Sequence, residues 1–116
     1  MQNLLDGPFG EVTVCNTHLS FIPGWNALQL RRLVRSLTGT REPLVLIGDL
    51  NMQPPQATRL TGMRSLAAAP TFPAAAPTRQ IDHVLVRGAL RATEPTEAPR
   101  LPLSDHRALV VDCHPT

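Results

Sequence analysis

Lysine and tyrosine are absent from this chain of 116 residues, and aromatic residues of any kind amount to 3%. All 11 cationic residues are therefore arginine, set against 9 acids for a net charge of +2. That excess is too small to argue by itself for binding along a phosphate backbone. With so few rings, a core must be assembled from the small aliphatic residues that make up most of the 42% hydrophobic fraction. Long apolar runs are also lacking: none approaches the ~18 residues of a membrane-spanning helix. The start MQNLLDGPFG carries neither the basic nor the apolar segment of an export signal. The chain therefore reads as cytoplasmic with no membrane span, and an export signal on a longer parent stays open. Only two cysteines occur, Cys15 and Cys113, each in an alternating apolar run rather than a CxxC or a spaced metal set. They are expected to be reduced thiols packed in strands.

The length suits one domain, 1–116. GEVTVCNTHL (10–19) is rich in β-branched residues and predicts a strand ending near His18. Ala27, Leu30, Leu33, Val34 and Leu37 fall at helical spacing after a candidate N-cap at Asn26, with Arg31, Arg32 and Arg35 on a solvated face and Gly39 where a C-cap would stand. PLVLIG predicts a buried strand, PPQATRLTGM a helical turn, and the Ala/Pro-rich stretch 65–78 a surface loop internal to the domain. QIDHVLV and RALVVDC are the remaining clear strands, with ALRATEP a further candidate. LVLI and ALVV are apolar on both sides of the pleat, so both sheet faces should be covered, yet the sequence offers one main helix and no second layer.

Polar residues collect at the ends of these strands. Asp49 and Asn51 stand two apart after LVLIG and project to the same side of an extended segment, presenting an acceptor and a donor to one small volume. A plain turn is the alternative, because both residues favour turns. Asp82 interrupts an apolar run, and a buried acid needs a partner. His106, at the start of another strand, is the candidate: a carboxylate that holds an imidazole in one tautomer supports its protonated form. Pleat alternation sends His83 to the opposite face from Asp82 and argues for a structural role, while His114, two residues from the end, is expected to be disordered. Ser104, Asp105 and His106 are contiguous and cannot form a nucleophile, base and orienter array, and no GxSxG, HExxH or phosphate-binding loop is present. Trp25 and Phe72 are expected to cap the core rather than to meet substrate.

The ordered set NTHLS, IGDLN, QIDHVLV and LSDHRALVV resembles the C-terminal half of the endonuclease/exonuclease/phosphatase superfamily. The resemblance implies a partial α/β sandwich, a mixed sheet with one main helix and its second sheet missing. It also implies hydrolysis of phosphate esters by water with Mg2+ or Mn2+. On that resemblance Asp49 would activate the water, Asn51 would donate to the phosphoryl group, and His106, oriented by Asp82, would stabilise charge on the phosphoryl oxygens. Asp105 would lie at or beside the metal and His18 would contact a phosphate oxygen. Such a division of labour suits phosphoryl transfer, which depends on positioning and charge compensation. Family members also carry an N-terminal half with a metal-binding Asn and Glu. Asn3 and Glu11, the nearest candidates here, match no such motif, so the chain alone is expected to have little or no activity.

A non-enzymatic interaction module, pairing through the uncovered sheet face, is the rival reading. Nucleic acid stays a possible partner through the phosphate-ester chemistry. Binding through Arg31, Arg32 and Arg35 is disfavoured, because the sequence shows no aromatic stacking platform beside them.

Overall fold

The computed structural model describes residues 2–7 and 10–116. Its main sheet is mixed, with strands ordered β1-β2-β3-β5-β4: β1 (Gln2–Gly7), β2 (Gly10–His18), β3 (Leu44–Asp49), β4 (Arg64–Ser65) and β5 (Asp82–Arg87). Helices α1 (Trp25–Ser36) and α2 (Pro54–Thr61) connect them, and β6 (Leu90–Ala92) pairs with β7 (Cys113–Pro115) in a separate two-stranded ribbon. Strands β2 and β3 run parallel, whereas β3 and β5 are antiparallel. Parallel neighbours need a crossover, and α1 supplies it.

Pleat alternation divides the apolar residues between two faces. Cys15, Leu44, Leu46 and Leu85 point to one face, where Leu30 and Leu37 from the α1 region and Ala57 of α2 close over them. Each fully buried leucine there contributes about 1.5–3 kcal/mol relative to exposure. Val12, Val14, Val45, Ile47, Val84 and Val86 point to the other face, joined by Leu66, Leu90 and Val111. Several of these remain partly exposed and line an open apolar groove of about 700 Å3. The patterning of LVLI therefore does signal two apolar faces, one of them left open among the described residues.

Local details depart from the sequence pattern for identifiable reasons. The N-terminal residues form an antiparallel edge strand on β2, although their sequence carries little periodicity. RALVVDC is not a continuous strand: only the isolated pairs Glu97–Val110 and Arg100–Arg107 bridge it to the preceding segment. That segment contains Pro95 and Pro99, which lack the N–H a ladder requires. Its end does pair, in β7, so His114 opposes Arg91 in an ordered ladder, and Cys113 is exposed rather than packed.

Helix α1 starts one residue before Asn26, with Gly24 at the cap and Leu37 at the far end. Asn26 is buried and donates from Nδ2 to the Asn51 carbonyl. Nor is 65–78 a simple surface loop: Leu66, Ala67, Thr71 and Ala74 are buried. Small side chains let this backbone pack closely, and Gln80 satisfies part of it by donating to the Ala67 carbonyl and accepting from the Ala69 N–H.

Candidate active site

Register places the polar strand ends in one row. His18 is opposite Asp49 across β2 and β3, and Asp49 is opposite Asp82 across β3 and β5. By alternation their side chains share the face of Val14, Ile47 and Val84, so the row continues the surface of the open groove. The close β2–β3 approach depends on Gly48: a Cβ there would lie 1.8 Å from the Thr17 carbonyl oxygen, and its φ is +137°.

His106 reaches this row from the loop before residue 107. Its Nδ1 lies 2.7 Å from Asp82 Oδ2, so the N–H on that nitrogen donates to the carboxylate. Its Nε2 then faces Asp49 Oδ2 at 3.6 Å and Asp105 Oδ1 at 4.0 Å. Burial works against the charged imidazole. The hydrogen bond to Asp82 and the charges of Asp82, Asp49 and Asp105 outweigh it, and the pKa is raised above its ordinary 6.5. The result is an imidazole, set between Asp82 and Asp49, that keeps its proton to higher pH than a free one.

Asp49 sits between two histidines, with His18 Nε2 at 3.4 Å from the Oδ2 that also faces His106. Its Oδ1 accepts the Asn51 N–H at 2.9 Å in an Asx turn. Asn51 adopts φ +51°, a left-handed conformation that asparagine tolerates. Its Nδ2 donates to the Leu19 carbonyl at 2.8 Å, leaving one amide hydrogen and Oδ1 to face other groups. The strand-end pair is thus both a turn and a polar cluster. His18 and Asp105 are the outward members, with side chains 75% and 81% exposed.

His83 takes no part in the row. It is buried on the opposite face, with Nε2 2.7 Å from the Met52 carbonyl oxygen, and burial lowers its pKa despite that bond and the charges of Asp82 and Asp49.

Several supports escaped sequence reading. The Phe72 ring packs on the His106 imidazole with centroids 5.0 Å apart. Thr71, fully buried, accepts the Arg107 N–H at its carbonyl, and Ala74 N–H donates to the Asp105 carbonyl. The Ala/Pro stretch therefore clamps the His106 segment onto β5. Nothing local in TFPAAAPT signals this, because the contacts with residues 105–107 come from chain 31 or more residues away. Phe72 packs at the site, and Trp25, 45% exposed, does not cap the core.

One carboxylate oxygen from each of Asp49 and Asp82 and one His106 nitrogen lie within 4.8 Å of one another. A hard divalent cation takes six or more oxygen ligands. Here Asp82 Oδ2 already holds His106 Nδ1, and Asp49 Oδ1 already accepts from Asn51. This donor set fits a carboxylate–imidazole pair and does not fit a complete magnesium shell. Glu11 lies at the opposite end of β2 from His18, where it pairs with Arg41, and the Asn3 side chain lies outside those described.

A family model for the Endonuclease/Exonuclease/phosphatase family matches residues 3–106. The chain belongs to the endonuclease/exonuclease/phosphatase family. Solved structures share the fold. A family protein from Beutenbergia cavernae DSM 12333 superposes with a TM-score of 0.67 at 24% identity, over 98% of this chain and 38% of its own. TDP2 of D. rerio, solved in complex with a single-strand DNA product, gives 0.68 at 13%, over 90% and 56%. The mannosyl-6-phosphatase Bt3783 of Bacteroides thetaiotaomicron VPI-5482 gives 0.59 at 18%, over 90% and 51%. The chain thus spans between 38% and 56% of the length of these three structures. No curated protein matches it significantly. Among the described residues, no helix is long and apolar enough to cross a membrane.

Proposed function

We propose that this chain carries the proton-handling part of a phosphoester hydrolase, acting on a phosphodiester or phosphomonoester, with nucleic acid among the candidate substrates. The observation behind it is the Asp82–His106–Asp49 row at adjoining strand ends, with His106 held at 2.7 Å and its second nitrogen turned toward Asp49. In this reading Asp49 accepts a proton from a water whose oxygen attacks phosphorus. The P–O bond to the leaving group breaks, and the departing oxygen takes up a proton from solvent, balanced by the one Asp49 later releases, and ends as an alcohol. His106, charged and fixed by Asp82, donates from Nε2 to a phosphoryl oxygen. Asn51 donates its remaining amide hydrogen, and His18 meets a further phosphate oxygen from the exposed rim. Donors already in place at a developing negative charge need no reorganisation as it forms.

A divalent cation, Mg2+ or Mn2+, belongs to the proposal with Asp105 as a contributed ligand. Its other ligands would come from elsewhere than the row, and for that reason turnover by the chain alone is proposed to be slow. The test is hydrolysis of aryl phosphate mono- and diesters with either metal, by the chain and by any longer protein that contains it. His106→Ala should lower the rate at least about 100-fold. An undiminished rate in that variant would overturn the assignment.

The open groove supports a second reading, a module that pairs with a second copy or another chain through the sheet face. About 700 Å3 of space lined by Val12, Val14, Val45, Val84 and Leu90 is the kind of apolar surface that associates. Sedimentation equilibrium decides it: a concentration-independent monomer removes self-association.

A further inference from the structure

The exposed apolar residues of this chain are not confined to the groove. Phe21 is 79% exposed, Ile22 52%, Trp25 45% and Leu28 39%. All four fall in the turn that follows His18 and the first turn of α1. Trp25 and Leu28 are turned away from the groove, because α1 presents Leu30 to the other face of the sheet, while Phe21 and Ile22 follow His18 at the strand end. A protein covering the groove alone would leave Trp25 and Leu28 in water.

Charge continues the patch. Leu28, Arg31, Arg32 and Arg35 stand three, four and seven apart along α1, on one stripe with Trp25, and the Arg32 guanidinium lies 6.0 Å from the Trp25 ring. The arginines are exposed, and from Leu19 to Arg41 the sequence contains no acid. Among the described residues none of Arg31, Arg32 and Arg35 is in a salt bridge. An apolar tip of Phe and Trp bordered by unpaired arginines is the composition of a segment lying in a lipid interface.

We infer that the turn 21–24 and the outer stripe of α1 form a surface that docks on an anionic lipid bilayer, with Phe21, Ile22 and Trp25 entering the headgroup region and Arg31, Arg32 and Arg35 meeting lipid phosphates. Two features favour a bilayer over a nucleic acid. Ile22 and Leu28 offer nothing to base stacking, and one approach to the Trp25 ring is taken by Arg32. A side chain as exposed as Phe21 also has little protein wall beside it to hold a strand or a peptide. This inference stands apart from the hydrolytic reading, and its test measures binding rather than turnover.

Trp25 is the only tryptophan in the chain, so its fluorescence reports the surface directly. With vesicles of phosphatidylcholine mixed with phosphatidylserine, the emission should shift to the blue and the protein should co-sediment. With pure phosphatidylcholine both effects should be weak, and added salt should weaken binding to the anionic vesicles. The double variant Phe21→Ser, Ile22→Ser keeps the reporter and, being a surface change, the fold. It should lower partitioning at least about tenfold. Arg31→Ser and Arg35→Ser should each lower it about fivefold. No shift with anionic vesicles, or full partitioning by the Phe21/Ile22 variant, overturns the inference. So does quenching of Trp25 by a single-stranded oligonucleotide in place of vesicle binding, or burial of the patch by concentration-dependent self-association.

Discussion

Asp82 Oδ2 accepts the Nδ1 hydrogen of His106 at 2.7 Å, joining residues 24 apart in the chain. This contact fixes the tautomer of the imidazole and turns Nε2 toward Asp49. Its first consequence is a titration. His106 should titrate above 6.5, and Asp82→Asn should lower that value by removing the largest of the favourable interactions. The imidazole resonances followed by NMR against pH check it, and a titration unmoved by the substitution would contradict the arrangement. Because the folded pKa is raised, the stabilisation this group supplies is full below about 6.5 and is lost as pH rises through the folded value.

His83 predicts the opposite pH dependence. Its folded pKa is lowered, chiefly by burial. Its contribution is therefore present above about 6.5 and lost as pH falls through the folded value. Urea unfolding should show stability declining between neutral and mildly acidic pH, and His83→Leu should reduce that decline. His83→Ala should cost about 2–4 kcal/mol at neutral pH, from the cavity and the unpaired Met52 carbonyl.

Two glycines separate the effects of space and backbone angle. Gly48→Ala would drive a Cβ into the Thr17 carbonyl oxygen, so a loss of about 3 kcal/mol or more is expected. Gly39 has φ +81° but nothing within 4 Å, and Gly39→Ala should cost only about 1 kcal/mol. Equal losses in denaturant titrations would contradict the close β2–β3 approach.

The two sheet faces should respond differently to truncation. Leu46→Ala empties a fully buried position under α1 and should cost about 2–5 kcal/mol. Val14→Ala, on the half-exposed groove face, should cost less than about 1 kcal/mol. Unfolding midpoints for the pair measure this, and a large loss at Val14 would mean that the groove is covered in solution.

The residues of the row were legible because each violates its surroundings. An acid within IDHVLV demands a partner, and Asp and Asn after LVLIG end a strand with polar groups, whatever the tertiary structure. Period-two alternation likewise placed His83 away from Asp82 and marked two apolar faces. What could not be read was anything that depends on partners distant in sequence. RALVVDC has the composition of a strand, but its pairing is broken by prolines in the opposing segment. TFPAAAPT has the composition of a surface loop, yet Thr71 and Ala74 are buried, Thr71 bonds to the start of β5, and the Phe72 ring packs on His106. Asn26 has the profile of a helix cap and serves as a tether to Asn51. Trp25 was expected to cap the core and lies at the surface beside Arg32. Composition and periodicity determined which residues must be buried or paired, since those are free energies of each side chain with its solvent. The tertiary structure alone decided the partners, because hydrogen bonds and packing between strands depend on register and distance that no single segment encodes.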